Sequence, residues 1–278
     1  MTSIPLTSRE AHPEGTIVSV GSAAFGGKRL VIIAGPCAVE DEEQVVSTAR
    51  AVKAAGASLL RGGAYKPRTS PYQFQGLREE GLQLLARAKA ETGLGVVTEV
   101  MDARHIEKIL EVADMLQVGS RNMQNFTLLD EVGHTHKPVL LKRGMMATME
   151  EFLMAAERVA SGGNREIVLC ERGIRTFEVA TRNTLDLSAV AAAKELTYLP
   201  VIVDPTHGTG KVSLIPAMSL AAVACGADGI IVEVHNHPEA ALSDKEQALT
   251  PPEFTELSKK IRSLRTFMVS LNGGRKES

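Results

Sequence analysis

Eight short aliphatic runs, each followed by a helix-like stretch, predict a (β/α)8 TIM barrel for this 278-residue chain. Two further observations support that fold class. The chain has no Trp and only 4% aromatic residues, so its core must be built from Val, Ile, Leu, Ala and Met, as in strands buried on both faces. No G-x-G-x-x-G follows the first of these strands, which weakens the competing reading of a doubly wound open sheet. No Gly-, Ser- or Pro-rich linker divides the chain. Residues 1–278 therefore read as a single barrel domain with 1–29 as an N-terminal extension and no separate regulatory domain.

In order along the chain, the first 14 residues look irregular. Stretches 16–20 and 29–33 bracket a turn-rich piece, GSAAFGGK, which reads as a short β-hairpin closing one end of the fold. Alternating apolar runs place strands at 30–34, 58–61, 95–99, 115–118, 138–142, 166–170, 200–204 and 229–233. Helical spacing places helices at 42–55, 75–91, 103–112, 122–132, 148–161, 185–194, 215–225 and 252–269. Gly56, Gly93, Gly133, Gly162 and Gly226 stand where those helices should stop. The connecting loops are expected to be short.

Composition excludes several classes. Lys+Arg number 31 against Asp+Glu 33, and a net charge of -2 gives no reason to expect nucleic acid or an anionic membrane as partner. Any anion site must therefore be local. The start, MTSIPLTSRE, shows no signal peptide, and no apolar run is long enough to cross a bilayer. Three scattered cysteines, Cys37, Cys170 and Cys225, point to reduced thiols and a cytoplasmic setting.

One stretch is unusual. LRGGAYKPRTS, 60–70, leaves a strand with Arg61, Lys66 and Arg68 among two glycines, a proline and the hydroxyls of Thr69 and Ser70. Gly62 and Gly63 are expected to allow close backbone approach to a ligand, and Pro67 to stiffen the loop. Such a loop suits phosphate and carboxylate oxygens. In barrels of this kind chemistry sits at the C-terminal ends of the strands. There the chain places Cys37, Arg61, Glu99, Arg121, Lys142, Arg172, His207 and Glu233 in turn. Two groups emerge: a cationic set, Arg61, Lys66, Arg121, Lys142 and Arg172, and a ligand set, Cys37, His207, Glu233 and Asp244. So many charges at one mouth need anionic ligands, and the second set suits Mn²⁺, Fe²⁺, Co²⁺ or Zn²⁺. Taken singly, Cys37 reads as a small buried hydrophobe and Asp244 as a helix N-cap with Gln247 at the capping-box position. His235 and His237 compete with His207 as ligands, although Pro238 argues that the strand has ended before them.

These residues fall in a known pattern. GPCAVE at 35–40, RGGAYKPRTSPYQFQG at 61–76, QVGSRNMQN at 117–125, LLKRGM at 140–145, CERG at 170–173, DPTHGTGK at 204–211 and EVHNHPEAALSDKEQAL at 233–249 resemble the compact type I branch of the 3-deoxy-D-arabino-heptulosonate 7-phosphate (DAHP) synthase family. The resemblance implies condensation of phosphoenolpyruvate with erythrose 4-phosphate, the first step of the shikimate route. It implies one divalent metal ion on Cys37, His207, Glu233 and Asp244, with Lys66, His207 and Cys37 as the catalytic groups. It implies phosphoenolpyruvate on Arg61, Lys66, Arg121, Lys142 and Arg172 with backbone help near Gly119 and Ser120. Arg68 and Thr69 would hold the aldose phosphate, with Asp204 near its hydroxyls.

The nearest enzyme rival is 3-deoxy-D-manno-octulosonate 8-phosphate synthase. That family carries Lys-Ala-Asn-Arg-Ser/Thr-Ser where this chain has Lys66-Pro67-Arg68-Thr69-Ser70, and the shorter form favours the four-carbon aldose phosphate. A metal-dependent aldolase is a broader alternative, and a non-catalytic barrel that binds a phosphorylated ligand is the alternative outside enzymes. A homodimer or homotetramer is expected. Some members of the family carry an added regulatory domain. Only about thirty residues precede the first barrel strand, so this chain is expected to ignore phenylalanine, tyrosine and tryptophan unless a regulatory partner protein confers control.

Overall fold

The structure, a computed structural model, describes residues 3–66, 70–243 and 245–273. A hairpin of β1 (Val18–Val20) and β2 (Ala23–Phe25) comes first. Eight parallel strands follow: β3 (Val31–Gly35), β4 (Leu59–Arg61), β5 (Gly95–Val100), β6 (Met115–Val118), β7 (Val139–Lys142), β8 (Ile167–Glu171), β9 (Val201–Val203) and β10 (Gly229–Glu233). They pair in sequence order, and β10 pairs with β3 to close the barrel. The outer layer holds α1 (Glu42–Ala54), α2 (Glu79–Thr92), α3 (Ile106–Leu110), α4 (Phe126–Gly133), α5 (Met149–Ser161), α6 (Leu187–Leu196), α8 (Ile215–Ala224) and α9 (Pro251–Gly273). A short α7 (Pro205–Thr209) sits between β9 and α8. No described helix is long and apolar enough to cross a membrane.

Several helices start where a side chain satisfies their first N–H groups. Asp41 caps α1, Asn125 caps α4 and Asp186 caps α6, while Thr148 and Glu151 form a reciprocal capping box that begins α5. Some readings of the sequence change. The helix expected over 75–91 begins only at Glu79, after Gly76 in the left-handed region (φ 87) and Arg78 at φ 56. The helix α7 had no counterpart in the sequence reading; Asp204 caps it and Pro205 starts it. Nor are all the loops short: 62–78, 172–186 and 234–250 are long, and they carry much of the site chemistry described below.

The hairpin is present, but its second strand lies inside the piece read as turn. Gly21, at φ 56, allows a tight Gly21-Ser22 connection, so Val20 pairs with Ala23 and Val18 with Phe25. Val18, Val20, Ala23 and Phe25 then pack with the barrel's inward residues Ile33, Val97, Leu140 and Ile202 in one apolar cluster. The hairpin is thus the floor of the barrel. Phe25 is fully buried. Phe25→Ala is therefore expected to lower unfolding free energy by about 3–5 kcal/mol in urea melts; a loss under about 1 kcal/mol would show that the floor packs loosely.

Candidate active site

Strand parity builds the site. Residues two apart on a strand face the same side. The inward apolar cluster takes Leu59, Val97, Met115, Leu140, Cys170, Ile202 and Ile231 from seven strands. Two residues further along each strand stand Arg61, Glu99, Gln117, Lys142, Arg172, Asp204 and Glu233. The barrel interior is thus apolar below and ionic at the C-terminal mouth, as the alternation dictates.

At the mouth a cavity of about 100 Å³ is lined by Arg61, Lys66, Arg121, Lys142 and Arg172 together with Gly119, Ser120 and His207. All five residues of the expected cationic set therefore converge. Glu99, Gln117, Met145 and Arg182 also line it. Glu99 had been placed at a strand end without a role, and parity locates it and Gln117. Arg182 comes from the loop after β8, where no periodicity predicts a position. A groove of about 700 Å³ at the opposite end of the barrel is larger, but the strand-end charges do not reach it. Chemistry, not volume, marks the smaller cavity.

The cations are fixed by buried acids. Arg61 is 5% exposed, and its Nη2 lies 3.2 Å from Glu233 Oε1. Its Nε and Nη1 are buried without a hydrogen-bond partner among the described residues, an arrangement that an anionic ligand would complete. Lys142 pairs with the fully buried Asp204. Asp204 also accepts from the His207 backbone N–H at 2.9 Å and meets His207 Nδ1 at 2.7 Å. Burial alone would raise the Asp204 pKa, but His207 and Lys142 hold it well below the usual carboxylate range. Asp204 is not among the residues lining the cavity; it orders the two that are.

Cys37, His207 and Glu233 each offer a ligand atom, all within 4.8 Å of one another. With Nδ1 engaged by Asp204, His207 turns Nε2 to within 3.1 Å of Glu233 Oε1, the carboxylate–histidine arrangement that orients a metal ligand. Glu233 Oε1 is buried and lacks a well-formed hydrogen bond. Burial opposes ionisation of Glu233, but His207 and Arg61 hold its pKa well below the carboxylate range. Burial would lower the His207 pKa, yet Asp204 and Glu233 push it up to about 9. A soft sulfur, an imidazole and a buried carboxylate fit a divalent transition ion. Asp244, Arg68 and Thr69 lie outside the described residues.

Other expectations shift. His235 is buried, but its Nδ1 accepts from the His237 backbone N–H and its Nε2 faces Glu40, while His237 is exposed; neither joins the Cys37 cluster. Gln247, read as a capping residue, donates to Glu233 Oε2 at 2.9 Å and accepts from Arg182 at 2.9 Å. Gly62 and Gly63 line a small cavity with Cys37, Arg61 and Lys66, and they also make room for the protein itself. A Cβ would stand 2.8 Å from Leu85 at Gly62 and 2.7 Å from the Cys37 carbonyl at Gly63. That packing lets Lys66 Nζ donate to the Cys37 carbonyl at 3.0 Å and to its Sγ at 2.9 Å. At Gly119 a Cβ would lie 2.0 Å from Glu99 Oε1. Gly119→Ala should thus displace a cavity wall and lower kcat/KM about 100-fold, the penalty of misplacement by roughly an ångström. Near-normal kinetics would show that Glu99 moves aside freely.

The model of the DAHP synthetase I family matches residues 14–269. The chain is 52% identical over 259 residues to the phospho-2-dehydro-3-deoxyheptonate aldolase of Thermotoga maritima, covering 93% of this chain and 77% of that one. It is 31% identical over 268 residues to a 2-dehydro-3-deoxyphosphooctonate aldolase of Geobacter sulfurreducens, covering 89% of this chain and 97% of that one. Among solved structures, the Thermotoga maritima aldolase (DAHP synthase) superposes with a TM-score of 0.92 at 51% identity, over 95% of this chain and 77% of that one. A truncated form of the 3-deoxy-D-arabino-heptulosonate 7-phosphate synthase from the same organism gives 0.89 at 48% identity, over 95% of this chain and 97% of that one. Closed barrel, ionic mouth and sequence thus lead to one conclusion: this chain belongs to the DAHP synthetase I family.

Proposed function

We propose that this chain is a DAHP synthase: it condenses phosphoenolpyruvate with D-erythrose 4-phosphate and water to give 3-deoxy-D-arabino-heptulosonate 7-phosphate and inorganic phosphate. The observation that carries this reading is the convergence of five cations and a Cys37–His207–Glu233 cluster on one barrel mouth. The identity to the Thermotoga maritima relative supports it.

In this reading Arg61, Lys66, Arg121, Lys142 and Arg172 hold the phosphate and carboxylate of phosphoenolpyruvate by charge-assisted hydrogen bonds, with Gly119 and Ser120 beside them. Arg68 and Thr69 take the aldose phosphate, and Asp204 fixes Lys142 and His207 in place. Carbon 3 of phosphoenolpyruvate bonds to the aldehyde carbon, whose oxygen becomes a hydroxyl. Water adds at carbon 2, and the phosphate leaves with its bridging oxygen. The cationic wall stabilises the charge on the departing phosphate. Cys37, His207 and Glu233, with Asp244, would hold a divalent ion, which supplies Lewis acidity toward the aldehyde oxygen when bound. Cys37, Lys66 and His207 are the catalytic side chains in this proposal; Lys66 joins the ligand set to the cationic wall through its contact with the Cys37 sulfur.

Phosphate release from phosphoenolpyruvate, run against a panel of aldose phosphates with and without chelator, tests the proposal. Turnover with the four-carbon aldose phosphate, lost on chelation, is expected. A preference for a five-carbon aldose phosphate would favour the octulosonate reading, whose relatives are 31% identical or thereabouts. The proposal extends to a cytoplasmic homodimer or homotetramer built of one catalytic unit per chain, since symmetric association is the rule among soluble oligomers; light scattering tests it. Arg172→Lys keeps the charge but loses the planar fork, so kcat/KM should fall at least about tenfold. A change within about twofold would remove Arg172 from the anion site.

A further inference from the structure

The two strands that deliver Lys142 and Arg172 to the cavity carry a second charged layer on their other side. Parity turns Leu141 and Leu169 toward the helices, and two residues on stand Arg143 and Glu171. The register pairs Lys142 with Cys170, so Arg143 stands beside Glu171. Both are nearly sealed, at 5% and 2% exposure. Arg143 Nη1 donates to Glu171 Oε2 at 2.9 Å and to Asp186 Oδ2 at 3.1 Å, and its Nε donates to the Ala147 carbonyl at 3.1 Å. Neither Arg143 nor Glu171 lines the cavity.

What the cluster holds is the residue between its members. Glu171 Oε1 accepts from the Gly173 backbone N–H at 2.6 Å, and the Glu171 carbonyl accepts from Asp204 N–H at 2.8 Å. The peptide on each side of Arg172 is therefore pinned. Gly173, at φ 91, lies so close to Asn183 that a Cβ would stand 2.7 Å from that side chain. Arg172 itself is 4% exposed, and among the described residues its guanidinium makes one long hydrogen bond, to the Gly173 carbonyl at 3.4 Å. Its aim into the cavity is thus set through the backbone. A buried ion cluster is a poor source of net stability, because desolvation offsets the attraction. It is a good way to lock one geometry.

We propose that Arg143, Glu171 and Asp186 form a positioning triad that aims Arg172 at the anion it binds, and so sets affinity for phosphoenolpyruvate without touching it. The inference rests on the functional reading above. A purely structural role, holding the start of α6, would affect folding and both substrates alike.

The test is a double-mutant cycle on the full chain with Glu171→Gln, Arg172→Lys and the pair. Gln keeps an acceptor for Gly173 but loses the charge that Arg143 needs. Glu171→Gln is expected to raise KM for phosphoenolpyruvate about tenfold, with kcat and KM for the aldose phosphate within about twofold. In the Arg172→Lys background the same substitution should have less than about a twofold effect, because the aim it perturbs has already lost its object. The same fold-loss in both backgrounds, or equal effects on both substrates, overturns the proposal. If Glu171→Gln fails to fold, Asp186→Asn enters the cycle, since Asn still caps α6. Calorimetric binding of phosphoenolpyruvate to the same proteins separates the two claims. Wild-type protein that binds phosphoenolpyruvate but turns over no aldose phosphate defeats the functional reading and leaves the coupling measurable. Wild-type protein that fails to bind phosphoenolpyruvate overturns both.

Discussion

A Cys37→Ala, His207→Ala variant is expected to release no phosphate from phosphoenolpyruvate above background, whatever divalent ion is added. Wild-type protein treated with chelator should fall to the same level and recover with Mn²⁺ or a similar ion. The expectation follows from a three-atom cluster within 4.8 Å whose buried Glu233 Oε1 lacks a well-formed hydrogen bond. Lewis-acid polarisation of an oxygen is a matter of several kcal/mol, so its loss should be near-complete in rate. Binding gives a readout independent of turnover. The His207 pKa is raised to about 9 by Asp204 and Glu233 against the effect of burial, so at neutral pH an incoming ion must displace a proton. Ion affinity should therefore weaken as pH falls below 9, by about tenfold per unit for each proton displaced. Calorimetry with Mn²⁺ in buffers of different ionisation heat should show net proton release, because His207 must bind as the neutral imidazole and Cys37 as the thiolate. Full activity of the double variant in metal-free buffer would sink the assignment.

Lys142→Met should be nearly as damaging, for a different reason. Lys142 is 4% exposed and Asp204 fully buried, so the substitution strands a carboxylate away from water with His207 as its remaining close cation. Breaking a buried pair from one side typically costs about 3–5 kcal/mol. Because Lys142 also faces the cavity, kcat/KM should drop about 100- to 1,000-fold. The pH dependence has a definite sign. The Asp204 pKa is depressed in the folded protein by His207 and Lys142, despite burial. Its stabilising effect is therefore present above the ordinary carboxylate pKa of about 4 and lost as pH falls. The stability gap between wild type and variant should be widest near neutrality and narrow in acid. Denaturant melts at several pH values measure it. A gap under about 1 kcal/mol at neutral pH, with kcat/KM within tenfold, would show that water already solvates Asp204.

Much of the site was legible at the strand ends. The C-terminal ends of the apolar runs carry Arg61, Lys142, Arg172 and Glu233, and barrel chemistry gathers at those ends; the fold then decided which alternate residues face inward, since Leu141 and Leu169 are as apolar as Leu140 and Cys170. The strands at 115–118 and 229–233 coincide with β6 and β10. The helices read from 42 and 148 begin at Glu42 and Met149, because their capping bonds are local and span three residues along the chain.

What lay beyond the sequence depends on contacts between residues far apart. Gln247 looked like a cap because only the fold brings it to Glu233 and Arg182. Only the fold brings Leu85 and Cys37 against Gly62 and Gly63, which also line a small cavity with Arg61 and Lys66. The sequence by itself determined the barrel, the order of its strands and the cations that meet at its mouth, since these rest on apolar runs, strand ends and residue type. Tertiary structure alone decided which charges neutralise one another: Lys142 with Asp204, Arg61 with Glu233, and Arg143 with Glu171 and Asp186. In a buried site that pairing fixes where each side chain points and which edges remain open to a ligand, and it depends on distances across the barrel that no local spacing encodes.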